Sequence, residues 1–317
     1  MIHLTRTCGP AALVGFCLSL AACATPVTRH PLAPAEFGAV STTSEMERRL
    51  PEPGPVIFHR EVFAYWTAGR GAFLDLEAPA SVAAGVGPGA ERATIYAYSL
   101  KHPRFGLYLV DAGLSDALPS RLNPVMRYGL RQLAPTVDQT TAQWMAREGA
   151  PRGVFVTHLH FDHIAGLIDL PSATTVFIGP GEAEERHWTN TLLGNPADAI
   201  LRDLGPLQVW RFRADPSGAF RGILDVFGDG SVWALWTPGH SPGSTSYLVR
   251  TTDGPKLIVG DAVHTRLGWE QALPQAAIPG FDGDLSADSA ARLKRFAERH
   301  PEVEVFLGHQ PLAGQEE

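Results

Sequence analysis

The sequence predicts a mixed α/β fold, two β-sheets sandwiched by helices in one large domain, and three observations predict it. Segments rich in Val, Ile, Tyr and Phe, bounded by Gly, Pro or Asp, recur as strand candidates. Helical patterns fall between groups of these strands, so the order departs from strict strand–helix alternation. No repeat and no second linker interrupts the chain after residue 55, which places a single domain over 56–317. In chain order the strands are expected at 93–100, 106–111, 153–157, 174–178, 232–237, 246–250, 256–259 and 303–307. Helices are expected at 137–148, 181–193 and 286–299. In the last of these Leu293, Phe296 and Ala297 recur at helical spacing, and Ser286 is the candidate cap.

The 317 residues carry 26 Lys plus Arg against 33 Asp plus Glu, a net charge of -7. Lysines occur only at Lys101, Lys256 and Lys294, and the arginines are scattered singly. No basic stripe is available to track phosphates, so nucleic acid is excluded as a partner class. A 44% hydrophobic content supports a large core, and 32 Gly with 26 Pro follow no collagen-like period.

The N-terminus reads as a targeting signal. Arg6 precedes an apolar run over 11–22, too short for the roughly 20 residues of a membrane-spanning helix. The run ends in Leu20-Ala21-Ala22-Cys23, which resembles a bacterial lipoprotein signal. That resemblance implies removal of residues 1–22, lipidation at Cys23 and anchoring in the cell envelope, on the periplasmic side of an outer membrane. The alternative is an ordinary export signal with Cys23 incidental. Cys8 and Cys17 leave with the signal, so no internal disulfide can form. Residues 23–55, rich in Pro, Thr, Ser and Glu, read as a tether with a short helix near 44–50.

The chemistry concentrates in Thr157-His158-Leu159-His160-Phe161-Asp162-His163, which follows an apolar strand. Imidazoles and a carboxylate packed this densely at a strand end need a compensating charge, and a divalent metal supplies it. His158 and His160, two apart in extended chain, point to one side, while Asp162 and His163 can turn towards a second ion. Three more strand ends repeat the pattern: Thr237-Pro238-Gly239-His240, Val259-Gly260-Asp261-Ala262 and Leu307-Gly308-His309. In each, a glycine permits a sharp bend beside a ligand-type residue.

With these motifs in order, the sequence resembles the metallo-β-lactamase superfamily from about Thr94 to its end. The resemblance implies an αββα sandwich with two divalent ions at one edge, zinc foremost, with iron, manganese or cobalt as alternatives. It implies His158, His160 and His240 on the first ion, Asp162, His163 and His309 on the second, and Asp261 bridging. Asp111 in Leu109-Val110-Asp111-Ala112-Gly113 matches the early aspartate that supports the ligands from behind. The presence of Asp261 disfavours the antibiotic-hydrolysing branch. The segment 237–243 resembles both hydroxyacylglutathione hydrolases and acyl-homoserine lactone lactonases. The tail, with Ile278-Pro279-Gly280-Phe281-Asp282 and Phe306-Leu307-Gly308-His309, is most similar to the lactonases. Where those commonly carry a tyrosine three residues after the bridging aspartate, this chain has His264.

The resemblance therefore implies a dinuclear hydrolase that opens a lactone by attack of a metal-bridging hydroxide, a quorum-quenching chemistry. Asp162 would pass a proton to the leaving group and His264 would steady the oxyanion. The alternatives are another small ester, a thioester or a β-lactam as substrate, or a non-catalytic metal-binding envelope protein. Trp66, Trp188, Trp269 and Phe281 are the candidate apolar wall for a small-molecule acyl chain. His59, His102, His187 and His300 match no motif and read as surface or packing residues.

Overall fold

The computed structural model describes residues 25–184, 186–187, 195–278 and 280–315. Two sheets face one another. The first has eight strands in the order Leu32–Pro34, Leu207–Val209, Thr175–Ile178, Gly153–Phe155, Gly106–Val110, Ala90–His102, Ile57–Gly69 and Thr136–Val137. Its first five neighbours run parallel, and the long pair Ile57–Gly69 with Ala90–His102 is antiparallel. The second sheet is ordered Glu304–Leu307, Gly254–Gly260, Thr245–Thr251, Val232–Trp236, Ile223–Asp225 and Ala39–Val40. It is antiparallel except where Glu304–Leu307 joins Gly254–Gly260.

Between the sheets lies an aromatic core that includes Tyr98, Phe155, Phe177, Trp210, Tyr247 and Phe306. On the outer face of the first sheet Trp144 and Ile164 bring the helices Thr141–Glu148 and Phe161–Ile164 onto a second cluster. On the outer face of the other, Leu293 and Phe296 press the helix Gly283–Arg299 onto a third. The layering is helix, sheet, sheet, helix. All seven residues of Thr245–Thr251 are buried, because this strand has protein against both faces and needs no polar alternation.

Several elements differ from expectation. The segment read as a tether is folded onto the domain from Thr25 to Pro55. Leu32–Pro34 and Ala39–Val40 extend the two sheets, and the helix Thr43–Arg49 buries Met46 and Leu50. The short helix expected near 44–50 is therefore present, and what differs is its attachment to the domain. The helix expected from 137 begins at Thr141, since Thr140 and Gln143 form a capping box and Thr136–Val137 pairs with Ile57–Gly69. Asp282, not Ser286, caps the last helix. Of the helix expected over 181–193, Gly181 takes a left-handed φ of 79° and Arg186–His187 pairs with Thr25–Pro26 as strand. Residues 188–193 lie outside the described residues. Ile57–Gly69 went unread because His59, Arg60 and Glu61 interrupt its apolar run. No helix among the described residues is long and apolar enough to cross a membrane.

Candidate metal centre

Five strand ends converge on one edge of the sandwich. Gly106–Val110 delivers Asp111, Gly153–Phe155 delivers 157–163, Val232–Trp236 delivers His240, Gly254–Gly260 delivers Asp261, and Glu304–Leu307 delivers His309. The bends are tightly packed. A Cβ on Gly308 would stand 2.1 Å from Asp261 Oδ1, so only glycine lets the last strand pass that carboxylate. Gly239, at φ 138°, similarly clears the backbone of Ser286.

Asp261 Oδ2 is the hub. The Nε2 atoms of His264 and His309 lie 3.2 Å from it, that of His163 3.4 Å, His240 3.6 Å and His158 3.7 Å. His160 Nδ1 approaches His158 Nε2 at 2.9 Å and His240 Nε2 at 3.0 Å. Asp162 Oδ2 stands 3.6 Å from His309 Nε2 and 4.0 Å from His163 Nε2. Among the described residues three sets have donor atoms mutually within 4.8 Å: His158, His160, His240 and Asp261; Asp162, His163 and His309; Asp261, His264 and His309.

These residues fit divalent ions. Donors sharing an ion at bonds of roughly 2.0–2.2 Å stand about 2.8–3.6 Å apart at octahedral to tetrahedral angles, the spacing found around Asp261. His163 Nε2, Asp261 Oδ1 and His264 Nδ1 are buried without a hydrogen-bond partner among the described residues. Burial pushes His158 and His240 well down, keeping both in the neutral form that ligates. Burial opposes charge on His163 and His309 too, but Asp261 foremost, with Asp162, outweighs it and raises both. Burial would raise Asp261, yet His309, His163 and His264 hold it well below the usual carboxylate range. Positive charge is thus favoured at the point where the donor atoms meet.

A supporting ring fixes the ligands. Asp111, in the left-handed region at φ 57°, accepts from Thr157 N at 2.7 Å and stands 2.8 Å from His163 Nδ1. That backbone conformation costs about 1–2 kcal/mol in a non-glycine residue, offset here by the buried hydrogen bonds. His309 Nδ1 lies 3.0 Å from Thr94 O, and Gln275 donates to Asp261 O and Ala262 O while facing His240. Sequence reasoning missed Gln275 and Glu182, which belong to no motif. Glu182 is 2% exposed and accepts from Leu159 N, Ser241 Oγ and Gly243 N at 2.7, 2.6 and 2.9 Å. It ties the loop of His158 and His160 to the loop of His240.

Beside His264 opens a cavity of about 560 Å³ lined by Leu74, Val263, Trp269, Leu273, Phe281 and Ala290 among others. Trp269 and Phe281, two of the four candidate wall residues, line this cavity. Trp66 does not: it is buried edge-on to the His309 ring, 5.7 Å between centroids. Trp188 lies outside the described residues. Phe73, unread in the sequence, packs on His264 and His309. His102 is a packing residue, buried and paired with Asp229.

Known proteins resemble this chain. The family model of the metallo-beta-lactamase superfamily matches residues 106–309. The chain therefore belongs to that superfamily. It is 34% identical over 164 residues to the N-acyl homoserine lactonase AttM of Agrobacterium fabrum, covering 50% of this chain and 58% of that protein. An N-acyl homoserine lactonase of Bacillus cereus is 32% identical over 157 residues, covering 49% and 54%. The match thus spans little more than half the length of these curated relatives. Among solved structures, a quorum-quenching N-acyl homoserine lactone lactonase aligns with TM-score 0.57 at 21% identity over 80% of this chain and 91% of its own. AidC, a dizinc quorum-quenching lactonase, aligns with TM-score 0.54 at 15% identity over 83% and 90%. At these identities the two structures speak to the fold.

Proposed function

We propose that the protein is a dinuclear metal-dependent hydrolase that opens a lactone ring, with N-acyl homoserine lactones as its substrate class. The observation that carries this reading is the gathering of five imidazoles and Asp162 around Asp261, with His264, beside Asp261, lining a largely apolar cavity. The relatives named as homoserine lactonases support it. The first donor set is His158, His160, His240 and Asp261, and the second is Asp162, His163 and His309, with Asp261 Oδ2 beside the latter two histidines. When bound, a pair of divalent ions lowers the pKa of water and polarises an ester carbonyl.

The protein residues do the rest. Asp111, Gln275 and Glu182 hold the donor atoms so that little reorganises during turnover. The cavity beside His264 receives an acyl chain and keeps bulk water from the carbonyl, with Trp269 and Phe281 as contact surfaces. As the ring C–O bond breaks, the alkoxide needs a proton. Asp162, with 12% of its side chain exposed at the edge of the cluster, would take up the proton released by the attacking water and pass it to that alkoxide.

The test follows proton release from homoserine lactones of graded acyl length by the zinc-loaded protein. Chelator-sensitive ring opening that improves with chain length supports the proposal. Intact lactones beside hydrolysed thioesters, phosphoesters or β-lactams refute the substrate class. We also propose that Cys23 is lipidated after loss of residues 1–22, anchoring the enzyme in the envelope. Mass spectrometry of the membrane fraction that finds an unmodified Cys23 contradicts it.

A further inference from the structure

His264 stands where a substrate-facing hydrogen-bond donor was expected, yet its position is that of a ligand. Its Nε2 lies 3.2 Å from Asp261 Oδ2, the same distance as His309 Nε2. Its ring is 9% exposed at the side chain and lies parallel to that of His309, 5.7 Å between centroids and 10° between planes. It also packs edge-on against His240 at 4.9 Å. Asp261, His264 and His309 form a complete three-donor set, sharing His309 with the second set and Asp261 with the first.

We propose that His264 is a metal ligand through Nε2, holding the second divalent ion together with Asp261 and His309. This rests on the dinuclear reading above and adds a sixth imidazole to it. A hydrogen bond from Nε2 to Asp261 alone accounts less well for the geometry. It would commit the Nε2 proton to a carboxylate already surrounded by four other imidazole Nε2 atoms within 3.7 Å. With Nε2 on the ion, the ring proton is fixed on Nδ1, the buried atom that has no partner among the described residues. His264 also lines the apolar cavity.

The experiment titrates zinc into chelator-stripped wild type, His264→Asn and His264→Tyr, reading stoichiometry and affinity by calorimetry. Histidine ¹⁵N resonances of the wild type are followed in parallel. In the wild type the His264 Nε2 signal moves to the metal-bound position with the second equivalent of zinc. In both variants the second ion weakens at least about tenfold while the first keeps its affinity. Second-ion affinity unchanged in the variants, or a wild-type His264 signal unmoved at two equivalents, overturns the ligand assignment and leaves the dinuclear reading intact. A wild type that takes up fewer than two ions overturns both.

Discussion

Replacing Glu182 by Gln keeps volume and shape but removes half of the acceptor capacity that joins the two histidine loops. In the native site one carboxylate accepts from Leu159 N, Ser241 Oγ and Gly243 N. A glutamine oxygen can keep Leu159 N–H, and the Ser241 hydroxyl can turn to accept. The amide NH₂ then faces the Gly243 N–H, donor against donor. An unsatisfied buried donor costs about 1–3 kcal/mol, and exchanging a charged acceptor for a neutral one costs about 1 kcal/mol more. The loss is therefore about 2–4 kcal/mol, or a fall of roughly 1 M in the urea midpoint at a slope of about 3 kcal/mol/M. The assay is urea unfolding of the metal-free protein, paired with zinc affinity. Affinity should fall about 10–100-fold, because His160 and His240 lose their common support. A Glu182→Gln unfolding free energy within about 0.5 kcal/mol of wild type, with zinc affinity unchanged, would refute the reasoning.

Gly308→Ala forces a Cβ against Asp261 Oδ1, so metal loading should drop sharply while circular dichroism of the fold persists; normal loading contradicts the tight packing. Met46→Ala should destabilise by about 2–5 kcal/mol, since Met46 is fully buried, whereas a loosely attached tether would show no change. Asp215 supplies the pH test. Burial alone would raise its carboxyl, but hydrogen bonds from Ser217 and Thr43 and from backbone N–H groups hold it below the usual carboxylate range. Its contribution is complete above the unfolded value of about 3.9 and is lost as pH falls from there through the lower folded value. The stability gap between wild type and Asp215→Asn should therefore narrow on acidification through that window; a constant gap contradicts it.

The donor set was legible because it is written in short segments at strand ends, where sequence neighbours stay neighbours in space. His158, His160, Asp162 and His163 come from one turn, and glycines at 239, 260 and 308 mark the other bends. The central strands were legible because continuous burial demands continuous Val, Ile, Leu and Tyr. The supporting shell was not. Glu182 and Gln275 act through contacts 13 to 61 residues away along the chain, and a single carboxylate or amide carries no pattern. The N-terminal segment escaped for a related reason. Two strands of two and three residues are held by the sheets they join, not by their own periodicity, whereas the short helix expected near 44–50 is present at Thr43–Arg49. His264 was read by its place in a motif, while its distance to Asp261 is visible only in three dimensions.

The central claim is that two divalent ions at this cluster are required for lactone opening. The most direct test adds zinc stepwise to the chelator-stripped protein while ring opening of a long-chain homoserine lactone is measured at each step. The account predicts no turnover without metal and activity that saturates at two equivalents per chain. Turnover in excess chelator, or two bound ions with the lactone left intact, would contradict it.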